Sequence, residues 1–316
     1  MADRKIIAVV GATGAQGGGL ARAILEDEAG GFAVRAITRD AGSEKAKALA
    51  DRGAEVAVAD IGDVESLKKA FAGAYGAFCV TNFWEHFSVE KEQAQVRAMA
   101  EAARAAGLKH VVASTLEDTR KWVPLSDSRM PTLGGKWKVP HFDGKGEVDH
   151  VWADAGVPTT LLLTSFYWEN FIHFGMGPKP NPDGTLAITF PMGRAKMPGI
   201  AVEDIGRAAY GIFKRGTELA GKTVAIAGGH LSGEEMAAAF GKALGKKVVY
   251  NEVTPEAYRG FGFPGAEDLG NMFQFKRDFE SYFTGIRDVE ATRRLNPRLQ
   301  SFEQWLEANK ARISPG

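Results

Sequence analysis

The sequence predicts an α/β fold: a doubly wound parallel sheet with helices on both faces and a smaller, mostly helical second lobe. Three observations predict it. Short β-branched runs alternate with amphipathic helical stretches, a glycine-rich turn follows the first run directly, and the tail from Thr254 carries aromatics and charges without strand rhythm. A chain of 316 residues with 45% hydrophobic and 25% charged content is long enough for a sizeable core and too apolar for disorder.

The first strand is KIIAVV, Lys5–Val10, and it is followed by FAVRAIT at Phe32–Thr38, EVAVA from Glu55, AFCV from Ala77, HVVAS from His110 and TTLLLT from Thr159. Nearly continuous apolar runs of this kind are expected where a strand is buried on both faces, and the intervening helices supply the right-handed crossovers of a parallel sheet. One helix follows Asp63, with Val64, Leu67 and Phe71 on one face. The next has Ser88 as N-cap, Glu90 and Glu92 in its first turn, Val89, Val96, Ala100 and Ala103 on one face, and Gly107 to end it. KTVAIAGG from Lys222 reads as a seventh strand, followed by Ser232 and Glu235 in capping-box spacing. Pro and Gly crowd together at 130–135 and 175–184, which read as excursions from the sheet. The expected division is 1–165 for the sheet domain and 166–316 for the second lobe, with the chain rejoining the sheet at about 200–228.

Between the first strand and its helix lies GATGAQGGG, with Gly11, Gly14 and Gly17 in G-x-x-G-x-x-G spacing and the amphipathic pattern starting near Leu20. Glycines let a backbone approach a pyrophosphate closely, and the unpaired N–H groups at a helix start favour the anion. A glycine-rich turn is often only a turn. The strand, loop and helix in succession favour a Rossmann dinucleotide site. The second strand ends in AITRD, where Arg39 offers a planar donor fork to a 2′-phosphate and so favours NADP(H). Asp40 is the rival: if it faces the ribose instead, the preference relaxes or reverses.

Lys plus Arg and Asp plus Glu each total 39, so zero net charge gives no general attraction to nucleic acid or to an anionic membrane. A single cysteine, Cys79, excludes an intramolecular disulfide, and with six histidines it cannot build a four-ligand thiolate zinc site, so no metal is expected. The apolar start ends at Gly11 and gives no secretion signal, while TTLLLTSFYW is cut by Glu169 and Asn170, short of a membrane span. A cytoplasmic protein is the expectation.

GATGAQGG, the TRD strand end, VTNFWE at 80–85, HFDGKGEV at 141–148, FYWEN at 166–170, FPGAEDLGNMF at 263–273 and RLNP with QWLE resemble the NmrA-like family, and within it most nearly the HSCARG branch. The resemblance implies an atypical short-chain dehydrogenase fold that binds NADP. It implies coenzyme contacts at Gly11, Thr13, Gly14, Ala15, Gln16 and Gly17 of the glycine loop, at Arg39, at Asp60 and Ile61, and at Thr81, Asn82 and Phe83. Lys145, Tyr167 and Asn170 complete that implied set. The HSCARG branch is an NADPH-responsive regulator that changes oligomeric and conformational state with coenzyme level.

Short-chain dehydrogenases use a tyrosine acid, a lysine four residues on and a serine at the end of the fifth strand. Here Ser114 closes its strand, and His141 with Lys145 occupies the Tyr-x-x-x-Lys spacing, with the tyrosine missing. Positions i and i+4 share a helix face, so both can serve one site. Beside an ammonium, His141 is expected to stay a neutral, modest donor, and a packing role at the helix start is an equal alternative. Tyr210 and Lys214 have the full spacing but sit on a helix expected to cover the sheet, away from the strand ends. Of Phe166, Tyr167, Trp168, Phe171 and Phe174, about half are expected in the core.

The expected function is an NADP(H)-binding, redox-responsive regulator. The alternative is an NADPH-dependent reductase of a small activated electrophile such as a quinone, imine, enone or aldehyde. NADP(H) is the expected partner, with either a protein partner or a small electrophile beside it, a homodimer left open, and no nucleic acid or membrane.

Overall fold

In the computed structural model, which describes residues 4–313, the strands Lys5–Val10 (β1), Phe32–Thr38 (β2), Glu55–Val58 (β3), Gly76–Cys79 (β4), His110–Thr115 (β5) and Thr159–Leu163 (β6) lie in one sheet with Thr223–Ala225. The seven-stranded order is Thr223–Ala225, β6, β5, β4, β1, β2, β3. The pairs β1 with β2, β2 with β3, β1 with β4, β4 with β5 and β5 with β6 are all parallel. Chain order reverses at β1, whose neighbours are β2 and β4, and that is the topological switch point where such sheets bind ligands.

β1 has no solvent face in its second half. Ala8 and Val10 cluster with Leu67 and Phe71 of Val64–Phe71 (α3) and with Met99 and Ala103 of Val89–Ala105 (α4), while Ile7 and Val9 are fully buried as well. Burying each of the larger aliphatic side chains is worth about 1.5–3 kcal/mol, which is why the run is continuous rather than alternating. Helix ends follow local chemistry. Asp63 accepts from the N–H groups of Glu65 and Ser66, Ser88 accepts from that of Lys91, and Ser232 with Glu235 closes the expected capping box.

Ala15–Glu26 (α1) packs against the helix Val202–Lys214 through glycines: a Cβ on Gly206 would lie 2.1 Å from the Leu20 nitrogen, and one on Gly19 would lie 3.1 Å from the Glu203 oxygen. Arg22 and Glu203 join these two helices by an ion pair at 2.5 Å. On the same helix pair, the Tyr210 phenol donates to Asp27 Oδ2 at 3.0 Å, and Lys214 Nζ donates to the same oxygen at 3.0 Å. Burial first, and then the Asp27 carboxylate, push the Tyr210 phenol pKa up, so this Tyr-x-x-x-Lys pair fastens helices together.

The chain forms two compact units. Among the described residues, the first comprises those up to Asp118 with Gly144–Thr164 and Val202–Val224, and the second Thr119–Asp143, Ser165–Ala201 and those from Ala225 onward. Residues 119–143 therefore go with the second unit, whereas the sequence leaves them with the sheet domain; a linear boundary near 165 cannot express five crossings of the chain. The second unit is a helical lobe that also carries two three-stranded sheets, Gly229–Leu231 with Met197–Ile200 and Phe166–Tyr167, and Val248–Glu252 with Leu186–Phe190 and Lys179–Pro180. Pro180, Pro198 and Gly199 interrupt two of these strands, while Leu186–Phe190 and Val248–Glu252 carry no such break and the sequence reading passes over them.

The lobe's core is aromatic. Phe171 meets Phe240 edge-on at 4.9 Å, Phe302 and Trp305 stack at 5.9 Å, and the Trp305 indole donates to Glu169 Oε1 at 2.9 Å. Phe166, Trp168 and Phe171 are buried, Tyr167 is half-buried, and Phe174 is exposed. Burial pushes the Cys79 thiol pKa far above its ordinary value, which leaves it inert. Among the described residues no helix is long and apolar enough to cross a membrane, and no cluster of His, Cys, Asp and Glu could hold a metal ion.

Candidate functional site

The parallel strands deliver their C-terminal ends to one edge of the sheet, and most of the expected site residues of the first unit follow those ends. β1 runs into Gly11, whose φ of +66° lies in the left-handed region that favours glycine. The helix begins at Ala15, not near Leu20 as the apolar pattern suggests. Gly17 to Gly19 are poor helix formers, but close packing holds them: a Cβ on Gly17 would lie 2.5 Å from the Gly11 oxygen and 2.7 Å from the Val10 oxygen. Gly14 is the N-cap and provides no side-chain cap, so the start of α1 is bare backbone. Thr13 is half-buried, Gln16 is buried, and Ala15 lies exposed on the rim. A close-packed glycine turn opening onto an uncapped helix start fits a pyrophosphate.

Arg39 follows β2, with its side chain 66% exposed, and its guanidinium is hydrogen-bonded to Glu85. Asp60 adds a second negative charge nearby. The rival acid closes its own loop: Asp40 Oδ1 accepts from the Gly42 N–H at 2.8 Å. Asp60, beyond β3, accepts from Gly62 N–H at 2.7 Å, and its backbone is tied to the Ser66 hydroxyl; Ile61 is half-buried.

After β4, Thr81 is buried, Asn82 is exposed, and Phe83 is buried edge-on to Trp84 at 5.5 Å. Thr81 Oγ1 donates to Glu92 Oε1 at 2.5 Å. Lys145, on the helix Pro140–Gly146 (α5), directs its ammonium to Thr81 Oγ1 and Glu92 Oε1, and to the Thr81 carbonyl at 3.2 Å. Glu92 has no solvent exposure, and His86 Nε2 stands 3.4 Å from its second oxygen. A buried carboxylate thus holds the lysine by charge and hydrogen bond together. Lys145, Thr81, Ser114, Thr115, Asp149 and Trp152 line one small cleft, in which the Thr115 hydroxyl donates to Asp149 Oδ1 at 2.6 Å. Ser114 and Lys145 are therefore brought together.

His141, on α5 but belonging to the second unit, is anchored differently from Lys145. Its ring Nδ1 is 2.6 Å from Asp268 Oδ1, its backbone N–H donates to Asp268 Oδ2 at 3.1 Å, and both side chains are buried. Two contacts to one carboxylate, from the ring and from the backbone, hold the ring orientation. The sequence expects an ammonium to govern this imidazole; the charged group bonded to it is a carboxylate instead. Tyr167 ends the strand Phe166–Tyr167 and Asn170 begins the helix Asn170–His173, both half-buried in the second unit.

Glu85, Glu92 and Asp268 are the residues that sequence reading misses. Glu92 reads only as a first-turn acid of α4, and nothing local links Asp268 to a histidine 127 positions earlier. The VTNFWE and FPGAEDLGNMF strings contain Glu85 and Asp268 without marking their roles.

The model of the NmrA-like family matches residues 3–306. Among curated proteins, the chain is 31% identical over 304 residues to the NmrA-like family domain-containing oxidoreductase himF of Aspergillus japonicus, covering 90% of this chain and 88% of that protein. It is 32% identical to the oxidoreductase FrzB of Cladobotryum sp, with 85% and 83% covered. Among solved structures, it is similar to NmrA, a negative transcriptional regulator, in complexes with NAD and with NADP. Each is 24% identical with a TM-score of 0.77, covering 96% of this chain and 95% of the other.

Proposed function

The chain belongs to the NmrA-like family, and on that premise we propose that it is an NADP(H)-dependent reductase of small, electron-poor acceptors such as quinones, imines, enones or aldehydes. The observation that carries this reading is the buried His141–Asp268 pair, which gives a chain without the short-chain dehydrogenase tyrosine an oriented proton donor. The oxidoreductase names of relatives at 31% and 32% identity support it.

The coenzyme, when bound, supplies the hydride. Gly11, Gly14 and Gly17 with the bare start of α1 hold the pyrophosphate, and Arg39 binds the 2′-phosphate. Lys145, fixed by Glu92 and Thr81, would hold the nicotinamide ribose, and Ser114, which lines the same small cleft, would polarise the acceptor. His141, held by Asp268, would give a proton to the acceptor heteroatom and recover it from water. Asp268 keeps the ring in one orientation and stabilises the charged form that gives the proton up.

NADPH oxidation measured against the four acceptor classes tests the proposal. Turnover with at least one class is expected, and Asp268→Asn and His141→Ala are each expected to lower kcat by about 100-fold with the KM for NADPH within about twofold. No turnover with any class, or undiminished turnover in both variants, would end it.

A second reading, an NADP(H)-responsive regulator of the HSCARG type, cytoplasmic and able to form homodimers, is favoured by the contact of Arg39 with Glu85. Through it, a phosphate arriving at Arg39 acts on the segment Phe83–Glu85. It predicts that oligomeric state and protease sensitivity differ between NADPH, NADP and neither, and identical patterns in all three would remove it.

A further inference from the structure

We propose that Glu85 is a specificity-determining residue: it occupies Arg39 until a 2′-phosphate displaces it, so this chain prefers NADP over NAD less sharply than Arg39 alone would allow. This rests on the dinucleotide reading above and adds a residue that reading does not use. The sequence offers Asp40 as the acid that competes for the strand end, but Asp40 is engaged by the Gly42 N–H at 2.8 Å. The acid that bonds Arg39 comes instead from 46 positions later in the chain.

Glu85 does not hang from a loose loop. It closes the short 3-10 turn Phe83–Glu85, whose Phe83 is buried and packs edge-on against Trp84 at 5.5 Å and Phe87 at 6.0 Å. On its far side, His86 Nδ1 accepts from the Ser88 N–H at 3.1 Å, and His86 Nε2 stands 3.4 Å from buried Glu92. The carboxylate is thus delivered to Arg39 by a packed platform and pays little entropy to stay there. The two side chains themselves are 66% and 45% exposed, so the pair is weak enough for a doubly charged phosphate to break.

Two costs then fall on NADP alone. The guanidinium must leave one anion to bind another, and the released carboxylate, with Asp60 beside it, repels the incoming phosphate. NAD brings a hydroxyl to the same place and meets neither cost. Replacing Glu85 by the neutral, isosteric Gln removes both while keeping the platform.

Calorimetric titration of the full chain with NADP and with NAD tests this in the native sequence, Glu85→Gln, Arg39→Ala and the double variant. Glu85→Gln is expected to lower the Kd for NADP by about three- to tenfold, with the gain reduced at high salt, and to leave the Kd for NAD within about twofold. The gain should shrink in the Arg39→Ala background. An unchanged or raised Kd for NADP in Glu85→Gln, or an equal shift for both coenzymes, would overturn the proposal while an Arg39-dependent preference left the dinucleotide reading standing. Binding of neither coenzyme by the native chain would overturn both.

Discussion

Arg39→Ala is expected to raise the Kd for NADP(H) by about 10- to 100-fold and to change that for NAD(H) by less than about threefold. A charge-assisted hydrogen bond between guanidinium and phosphate is worth about 1.5–3 kcal/mol, and the phosphate member of this contact exists only with NADP. The structure makes the variant clean. Arg39 is largely exposed, and its partner Glu85 is open enough to be solvated once the guanidinium is gone, so folding stability should move by less than about 1 kcal/mol. Arg39→Lys keeps the charge and loses the planar fork, and should fall between the native chain and the alanine variant. Titration at two salt concentrations checks the result: the NADP advantage should narrow as salt rises, because the contact lies at the surface. An unchanged ratio of the two affinities in Arg39→Ala would show that the 2′-phosphate is held elsewhere.

The second large effect is at Lys145, where activity and stability are expected to fail together. Its ammonium is the countercharge of Glu92, which has no solvent exposure, so Lys145→Ala leaves a buried carboxylate without its cation. Breaking such a pair from one side costs about 3–5 kcal/mol, an effect that urea unfolding would measure. On the proposed role of Lys145 in holding the ribose, its loss should also reduce turnover by roughly 100-fold. The two losses separate in the double variant Lys145→Met with Glu92→Gln, which removes both charges and retains an apolar stem against the cleft. Stability should largely return, and turnover should not. A double variant that regains turnover would mean that Lys145 serves the fold alone, whereas full stability in Lys145→Ala would mean that the Glu92 pair contributes nothing.

The contrast between Lys145 and Lys214 shows how little spacing alone conveys. Tyr210 and Lys214 keep the complete Tyr-x-x-x-Lys pattern, yet Asp27 takes both into a contact between α1 and the helix Val202–Lys214. His141 and Lys145 keep only half of the pattern, yet each is met by a buried carboxylate. Chemistry follows from the partners that the fold supplies, and identical spacings on different helices acquire different partners.

All seven strands of the large sheet, the Ser88 and Ser232 caps and the glycine turn could be read directly from residue order, because each depends on side chains within a few positions of one another. The start of α1 could not, since Gly17 and Gly19 are unfavourable for a helix until the Gly11 oxygen and the Glu203 backbone press against them. Nor could the acids that hold Arg39, Lys145 and His141, which lie 46, 53 and 127 positions away along the chain. Local patterning commits a segment to helix or strand, but a carboxylate finds its cation only after elements distant along the chain have packed together. The electrostatics of a site is therefore a property of the packed chain.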